Sequence, residues 1–238
     1  MHLYLVRHGE CHSESALGVF TPDGDLSALG ERQAWLAAER LAAAGIPHVL
    51  SSPLLRALTT ARVIAEADGD LPVEVWTELR EGYGDMPGVP VPIHRGPGRS
   101  ELRRRFPRAV LPAALTEDGW EHGGDNHYPE FSARCATVAR LLEVRFAPDD
   151  RVVVVGHGGC LNSVLHALLG IPAAAPVWLQ MDLGAISTLR LVPERERLQC
   201  WPLYPPVGVE LLGLNDRSHL EGYTISSPHE QRQHAISG

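Results

Sequence analysis

Arg151–Val155 reads RVVVV. Successive side chains of a strand point to opposite faces, so consecutive valines cannot all be covered from one side. A run apolar on both faces is what a central parallel strand looks like, and such a strand needs a helical layer above and below it. The rest of the chain supplies the companions. Leu3–Val6 is a second buried strand, with shorter ones at His48–Ser51 and Val73–Trp76. Ser27 suits the N-cap of a helix to about Ala44, with Leu29, Leu36 and Leu41 on its apolar face and Gly45 and Pro47 stopping it. Ser52-Pro53 opens another, carrying Leu55, Leu58, Ala61, Val63 and Ile64 to near Gly69. Further helices are expected over Pro129–Phe146 and from Gly159 to about Leu169.

This order predicts an α/β fold: a three-layer α/β/α sandwich around a central, mostly parallel sheet. Ile186–Val192 and Leu198–Leu203 read as an antiparallel pair, and the chain after Pro206 as polar, irregular and disordered in part. Residues 81–129 are dense in glycine, proline, histidine and arginine with weak periodicity, which predicts a lid-like insertion over a site. The expected organisation is one domain over 1–205 with that insertion, followed by a tail over 206–238.

A chain of 238 residues can bury an ample single core. Its formal charge of -8 argues against nucleic-acid binding, and with no lysine an anionic substrate must be met by local arginines and histidines. Cys11, Cys135, Cys160 and Cys200 form no C-x-x-C pair, so free thiols in a reducing compartment are expected. The N-terminal apolar stretch is too short for a signal peptide or a membrane span, so no membrane partner and a cytoplasmic location are expected. Oligomeric state stays open, a dimer being compatible.

Ligands of open α/β sheets sit at the carboxyl ends of the strands. Arg7-His8-Gly9 and Gly156-His157-Gly158 both fall there, each just after a buried strand. If adjacent strands bring them together with Arg56, two guanidinium forks face two imidazoles. One imidazole can act as a nucleophile near neutral pH, and the other donors can hold phosphoryl oxygens without a metal. The glycines, Gly158 among them, allow close approach to the backbone. A leaving oxygen needs a proton donor, for which Glu81 is best placed, ahead of Asp85 and Glu10.

Leu5-Val6-Arg7-His8-Gly9-Glu10 resembles the signature of the histidine phosphatase (phosphoglycerate mutase-like) superfamily. Three more blocks follow in the family's order: Asp25-Leu26-Ser27-x-x-Gly30-x-x-Gln33-Ala34, Ser51-Ser52-Pro53-Leu54-x-Arg56-Ala57-x-x-Thr60-Ala61 and Val155-Gly156-His157-Gly158-Gly159. The resemblance implies a phosphoglycerate mutase-like fold, phosphorylation of His8, phosphate binding by Arg7, Arg56 and His157, and proton transfer by an acid at Glu81. It implies no cofactor and no metal, and a small phosphorylated substrate as the partner.

The chain also departs from the family. Glu14 stands where many members carry asparagine, Cys11 replaces the usual serine or threonine, and the mutase branch's tryptophan in this loop is missing. Hydrolysis is therefore expected over mutase chemistry, and Glu14 and His127 are candidate substrate contacts, with His122 beside them. Three other motifs are read as incidental. His8 and His12 have metal-pair spacing but lie in a predicted loop. Asp23-Gly24-Asp25-Leu26-Ser27 matches a magnesium-dependent aspartate loop but follows Thr21-Pro22 rather than a strand. Arg103–Arg105 reads as a solvated helix face.

Overall fold

The computed structural model describes residues 1–12, 23–82, 94–122, 128–197 and 207–223. In chain order the elements are β1 (His2–Arg7), α1 (Ala28–Ala42), β2 (His48–Ser51), α2 (Leu55–Ala67), β3 (Val73–Val75), β4 (His94–Arg95) and α3 (Arg99–Arg105). There follow β5 (Ala109–Val110), β6 (Glu121–His122), α4 (Tyr128–Arg145), β7 (Arg151–Gly156), α5 (Gly158–Leu168), β8 (Ile186–Leu191), α6 (Glu194–Arg197) and β9 (Val209–Asp216). Seven strands form one sheet in the order β5-β3-β2-β7-β1-β8-β9. The first five run parallel, and β8 and β9 are antiparallel. The architecture is the expected α/β sandwich with a mostly parallel sheet.

The valines of β7 divide as the alternation requires. Val153 and Val155 join the core formed with α1 and α2, through Ala37, Leu41, Leu58 and Ile64. Val152 and Val154 join the opposite core with α4 and α5, through Val138, Leu142, Leu161 and Leu165. All four valines are fully buried, and each buried side chain of this kind contributes about 1.5–3 kcal/mol relative to exposure. The register then sets the site. Arg7 of β1 lies opposite Gly156 of β7, and Ser51 of β2 opposite Val155, so His8, His157 and Ser52 leave neighbouring strands at one level.

Three expectations are corrected. β8 is paired antiparallel on both sides, with β1 and with β9, the latter running along it from Ile186↔Asp216 to Leu191↔Val209; Leu198–Leu203 lies outside the described residues. The stretch after Pro206 is not irregular through 209–220, because β9 forms the sheet edge and a 3-10 turn, Ser218–Leu220, buries Leu220 fully. The strand VELLGLND carries leucines on both faces yet leaves Leu211, Leu212 and Leu214 exposed, so its ladder with β8 and not a buried apolar face sets it at the sheet edge. The segment read as an insertion is also partly structural. Leu102, Phe106, Leu111, Leu115 and Trp120 enter the core, and β5 extends the sheet beside β3. Residues 83–93 and 123–127 of that segment lie outside the described residues. Among the described residues no helix is long and apolar enough to cross a membrane.

Helix starts show how the loops are tied. Ser27 caps α1 as expected, its hydroxyl accepting from Gly30 N (3.1 Å). The second helix begins later than its Ser-Pro signal, and its N-cap Leu54 has no capping side chain. Asp23 supplies the acceptor instead, taking the Leu55 N–H on Oδ1 at 2.7 Å. Its Oδ2 is buried with no hydrogen-bond partner among the described residues. Burial pushes the Asp23 carboxyl up to about 6, against the opposing pull of the Leu55 N–H and of Arg56 and Arg105.

A carboxyl raised this far holds its proton more tightly folded than unfolded. Its contribution favours the fold below its unfolded value and is lost as pH rises to about 6. Asp23→Asn keeps an acceptor for Leu55 N and removes the ionisation. It is expected to raise stability at pH 7.5 relative to pH 4.5, compared with the wild type, by about 2 kcal/mol, since pH 4.5 already lies above the unfolded value. Denaturant titration at the two pH values measures this, and identical pH dependence in both proteins would contradict it.

Candidate active site

At the carboxyl edge of the sheet the chain returns to one point from four directions. The loop after β1 brings Arg7, His8 and Gly9. Glycine is required here because the loop rests on the first turn of α1: a Cβ at Gly9 would lie 2.4 Å from the Gly30 carbonyl oxygen. Reciprocally, a Cβ at Gly30 would lie 1.9 Å from the Glu10 oxygen. Gln33 Oε1 accepts from Glu10 N (2.8 Å), and Thr60 Oγ1 of α2 accepts from Gly9 N (3.2 Å). The first two sequence blocks are thus two halves of one backbone contact, with the third block holding it from above.

His8 is buried, and its main-chain N–H donates to Gly156 O (3.0 Å). Its Nδ1 lies 2.6 Å from Gly9 O, and Arg56 Nε donates to its Nε2 at 3.3 Å. A carbonyl can only accept and a guanidinium can only donate, so Nδ1 carries the proton and Nε2 presents its lone pair. Burial pushes the His8 imidazole well below its usual range, and the Arg56 and Arg7 cations push it further, against the opposing Gly9 carbonyl. The ring is neutral near pH 7.

The remaining groups close around that nitrogen. The His157 ring lies 5.0 Å from the His8 ring, centroid to centroid, with its Nε2 2.8 Å from Ser52 Oγ. Arg56 is buried on the first turn of α2. Arg7 Nη1 donates to Met181 O (2.8 Å), whereas its Nε is buried with no hydrogen-bond partner among the described residues. Burial lowers the Arg7 guanidinium from its ordinary value, opposed by the carboxylates of Glu81 and Asp182. A Cβ at Gly158 would lie 3.4 Å from Arg7 Cζ, so Gly158 is where the backbone meets this guanidinium.

Glu81 lies across the start of α5, whose N-cap residue His157 makes no side-chain cap. Its carboxylate accepts from Gly159 N (3.1 Å), Cys160 N (3.0 Å) and Gly82 N (3.0 Å). A carboxylate from the loop after β3 therefore caps the helix that His157 opens, where a helix N-terminus favours negative charge.

Six of the eight residues picked out from sequence, Arg7, His8, Arg56, Glu81, His157 and Gly158, converge; Glu14 and His127 lie outside the described residues, as does Asp85. Glu10 bonds the Ser27 hydroxyl instead of facing His8. His12 is exposed, its N–H donating to Asp25 O (2.9 Å), and not on a helix with His8. Asp25 is engaged by Thr59 (2.7 Å) and Arg105, and Asp23 by α2, so the aspartate-loop motif is a brace between α2 and α3. His122 lies in β6, paired with β4. Cys11, Cys135 and Cys160 are free thiols. Among the described residues no group of three metal-ligating side chains is assembled.

Sequence reasoning did not assign site roles to Ser52, Thr60, Met181 or Asp182. Ser52 and Thr60 stand inside the block quoted for Arg56, so their signal was present. Met181 acts through its carbonyl and Asp182 through a turn made far along the chain, and neither leaves a local pattern.

The model of the histidine phosphatase superfamily (branch 1) matches residues 3–203. The probable phosphoglycerate mutase GpmB of Klebsiella pneumoniae is 34% identical over 189 residues, 79% of this chain and 83% of that protein. Among solved structures, the mycobacterial glucosyl-3-phosphoglycerate phosphatase superposes with a TM-score of 0.56 at 27% identity, covering 90% of this chain and 98% of that one. The alpha-ribazole phosphatase of Shigella flexneri shares the fold, with a TM-score of 0.60 at 24% identity over 91% and 97% of the two chains. With its ordered motifs meeting at one edge of the sheet and a family match across most of its length, the chain belongs to the histidine phosphatase superfamily.

Proposed function

We propose that the protein is a phosphomonoesterase that hydrolyses a small phosphorylated metabolite through a phosphohistidine on His8. The observation that carries this reading is the locked tautomer of His8, with Nδ1–H held by the Gly9 carbonyl and the Nε2 lone pair turned toward Arg56. A core histidine needs no such orientation, whereas a nucleophile does.

In the first step Nε2 attacks phosphorus and the bond to the ester oxygen breaks. Arg7, Arg56 and His157 hold the phosphoryl oxygens, and the unpaired Arg7 Nε is a donor available to an anion. Glu81 in its protonated form gives the leaving oxygen its proton, and the ring becomes a phosphoimidazolium with Nδ1–H still bonded to Gly9. In the second step water attacks phosphorus, Glu81 takes the proton, and the P–N bond breaks to return neutral His8 and free phosphate. A second reading, transfer of the phosphoryl group to another hydroxyl, is favoured by the mutase name of the bacterial relatives. The mutase branch's tryptophan, missing from the first loop, argues for water as the acceptor.

Phosphate release from a panel of phosphomonoesters in excess EDTA tests the reading. Release by the wild type, lowered by at least about 10³-fold in His8→Ala, is expected. Release that appears only on adding Mg²⁺ would overturn it, and an isomerised ester without free phosphate would favour transfer. Glu81→Gln keeps one acceptor oxygen, enough for Cys160 N and Gly82 N, while giving up the oxygen that takes Gly159 N and removing the acid. It is expected to lower kcat about 10²- to 10³-fold on alkyl phosphates and far less on aryl phosphates with good leaving groups; equal losses on both would exclude Glu81 as the donor. Because burial and two arginines depress the His8 imidazole, its NMR signals are expected to show no protonation from pH 8 down to pH 6. A midpoint at the ordinary value of 6.5 would contradict the locked neutral form.

A further inference from the structure

We propose that Asn215, on the C-terminal edge strand, is a positioning residue for Arg7 and His8, acting through the turn Met181–Gly184. This inference rests on the phosphatase reading of the same site and names a residue beyond the family match, which ends at 203.

Asn215 has φ +54°, one of two described non-glycine residues in the left-handed region. An L side chain adopts that conformation at a cost, and it persists where the surroundings require it. Here the side chain is fully used. Its Oδ1 accepts from Asp182 N (2.7 Å) and its Nδ2 donates to Asp182 Oδ2 (3.0 Å), while its own N–H donates to Ser187 Oγ (2.9 Å). One residue thus grips both the backbone and the carboxylate of Asp182.

Asp182 is buried at 4% exposure. A carboxylate so placed needs partners, and it has three: Asn215, Arg217 Nη1 at 2.8 Å to Oδ2, and Gln180 Nε2 at 2.7 Å to Oδ1. The turn it anchors reaches the site in two ways. Met181 O accepts from Arg7 Nη1 (2.8 Å), fixing one arm of the guanidinium. Gly184 N donates to Arg7 O (3.1 Å) and His8 O (3.2 Å), fixing the main chain of the nucleophile's loop. His219 Nε2 lies 3.0 Å from Gly184 O, so the same C-terminal segment holds the turn at its other end.

The geometry therefore links β9 to the reacting groups by a continuous chain: Asn215 to Asp182, the turn to Arg7 and His8. Any tilt of the turn moves Met181 O, and with it the guanidinium. Displacement of such a group by a fraction of an ångström is enough to change phosphoryl binding, since the site works by placement of charge. The bond to Gly156 and the packing of β1 hold His8 from the sheet side; the turn holds it from the other.

The test compares Asn215→Gly, which keeps the left-handed backbone and deletes both side-chain bonds, with Glu210→Gln. Glu210 is on the same strand and pairs with Arg190 at 3.1 Å, so its substitution loosens β9 without touching the turn. Inorganic phosphate binding by calorimetry, kcat and KM for the best ester, thermal midpoint and the ligand-free His8 NMR shifts are read on each. Asn215→Gly is expected to weaken phosphate binding and raise KM on the order of tenfold, and to move the His8 shifts. Glu210→Gln is expected to do none of these at a comparable thermal midpoint. Combining Asn215→Asp with Asp182→Asn exchanges donor and acceptor across the pair and is expected to recover part of the loss.

Unchanged phosphate affinity and unchanged His8 shifts in Asn215→Gly would overturn the proposal, as would equal changes in Glu210→Gln. The His8 shifts separate the two readings. If the wild type neither binds phosphate nor turns over an ester, the phosphatase reading fails. The positioning role then stands or falls on whether His8 responds to Asn215.

Discussion

Everything at the site depends on the register of two parallel strands. Arg7 faces Gly156 across the β1–β7 ladder, and the Gly156 carbonyl takes the His8 N–H. A slip by one residue would turn every side chain of β1 to the opposite face. That slip is resisted by cores on both sides, with Leu3 and Leu5 committed to one and Val6 to the other. The paired histidines therefore inherit their alignment from hydrophobic burial, the largest favourable term in the fold. No separate device is needed to bring two loops from opposite ends of the chain together.

Two helices begin at that edge, and neither caps itself with its own N-cap side chain. Asp23 serves α2, which carries Arg56, and Glu81 serves α5, which follows His157. An orphan N–H at a buried helix start costs about as much as a lost hydrogen bond. Each carboxylate therefore ties a distant loop to a helix that presents a site residue. The two acids differ in setting. Asp23 is buried with one unpaired oxygen and is held up to about 6. Glu81 has both oxygens occupied by backbone donors and lies near Arg7. In the proposed mechanism the second of these leaves its cap to deliver a proton, so capping and catalysis draw on the same group.

The site was legible in sequence wherever a residue type announces its chemistry. The His-Gly pairs after two buried strands, Arg56 in its Ser-Pro-Leu-x-Arg context and Glu81 just past a strand were all picked out that way. The supports were not. Asp182 and Asn215 are ordinary polar residues in unremarkable stretches, and their meaning arises only when β9 lies against β8. The segment after Pro206 looked irregular although VELLGLND is rich in leucine, because leucines on both faces of a largely exposed edge strand give no clean alternation. The segment between Glu81 and Pro129 read as an insertion because its core residues, Leu102, Phe106 and Leu115, are scattered among glycines, prolines and arginines, and its strand of the main sheet, β5, is only two residues long.

By itself the sequence determined the sandwich, the order of its parallel strands' helices and the identity of the groups that meet at its edge. These are written in local patterns: two-sided apolar runs, capping residues, and glycines where backbones must touch. Tertiary structure alone decided which nitrogen of His8 carries the lone pair, which carboxylate caps which helix, and that Asn215 of the last strand bonds Asp182. Those outcomes depend on hydrogen bonds between residues far apart in the chain. Such bonds have no period and no composition, and exist only once burial has set the strands in register.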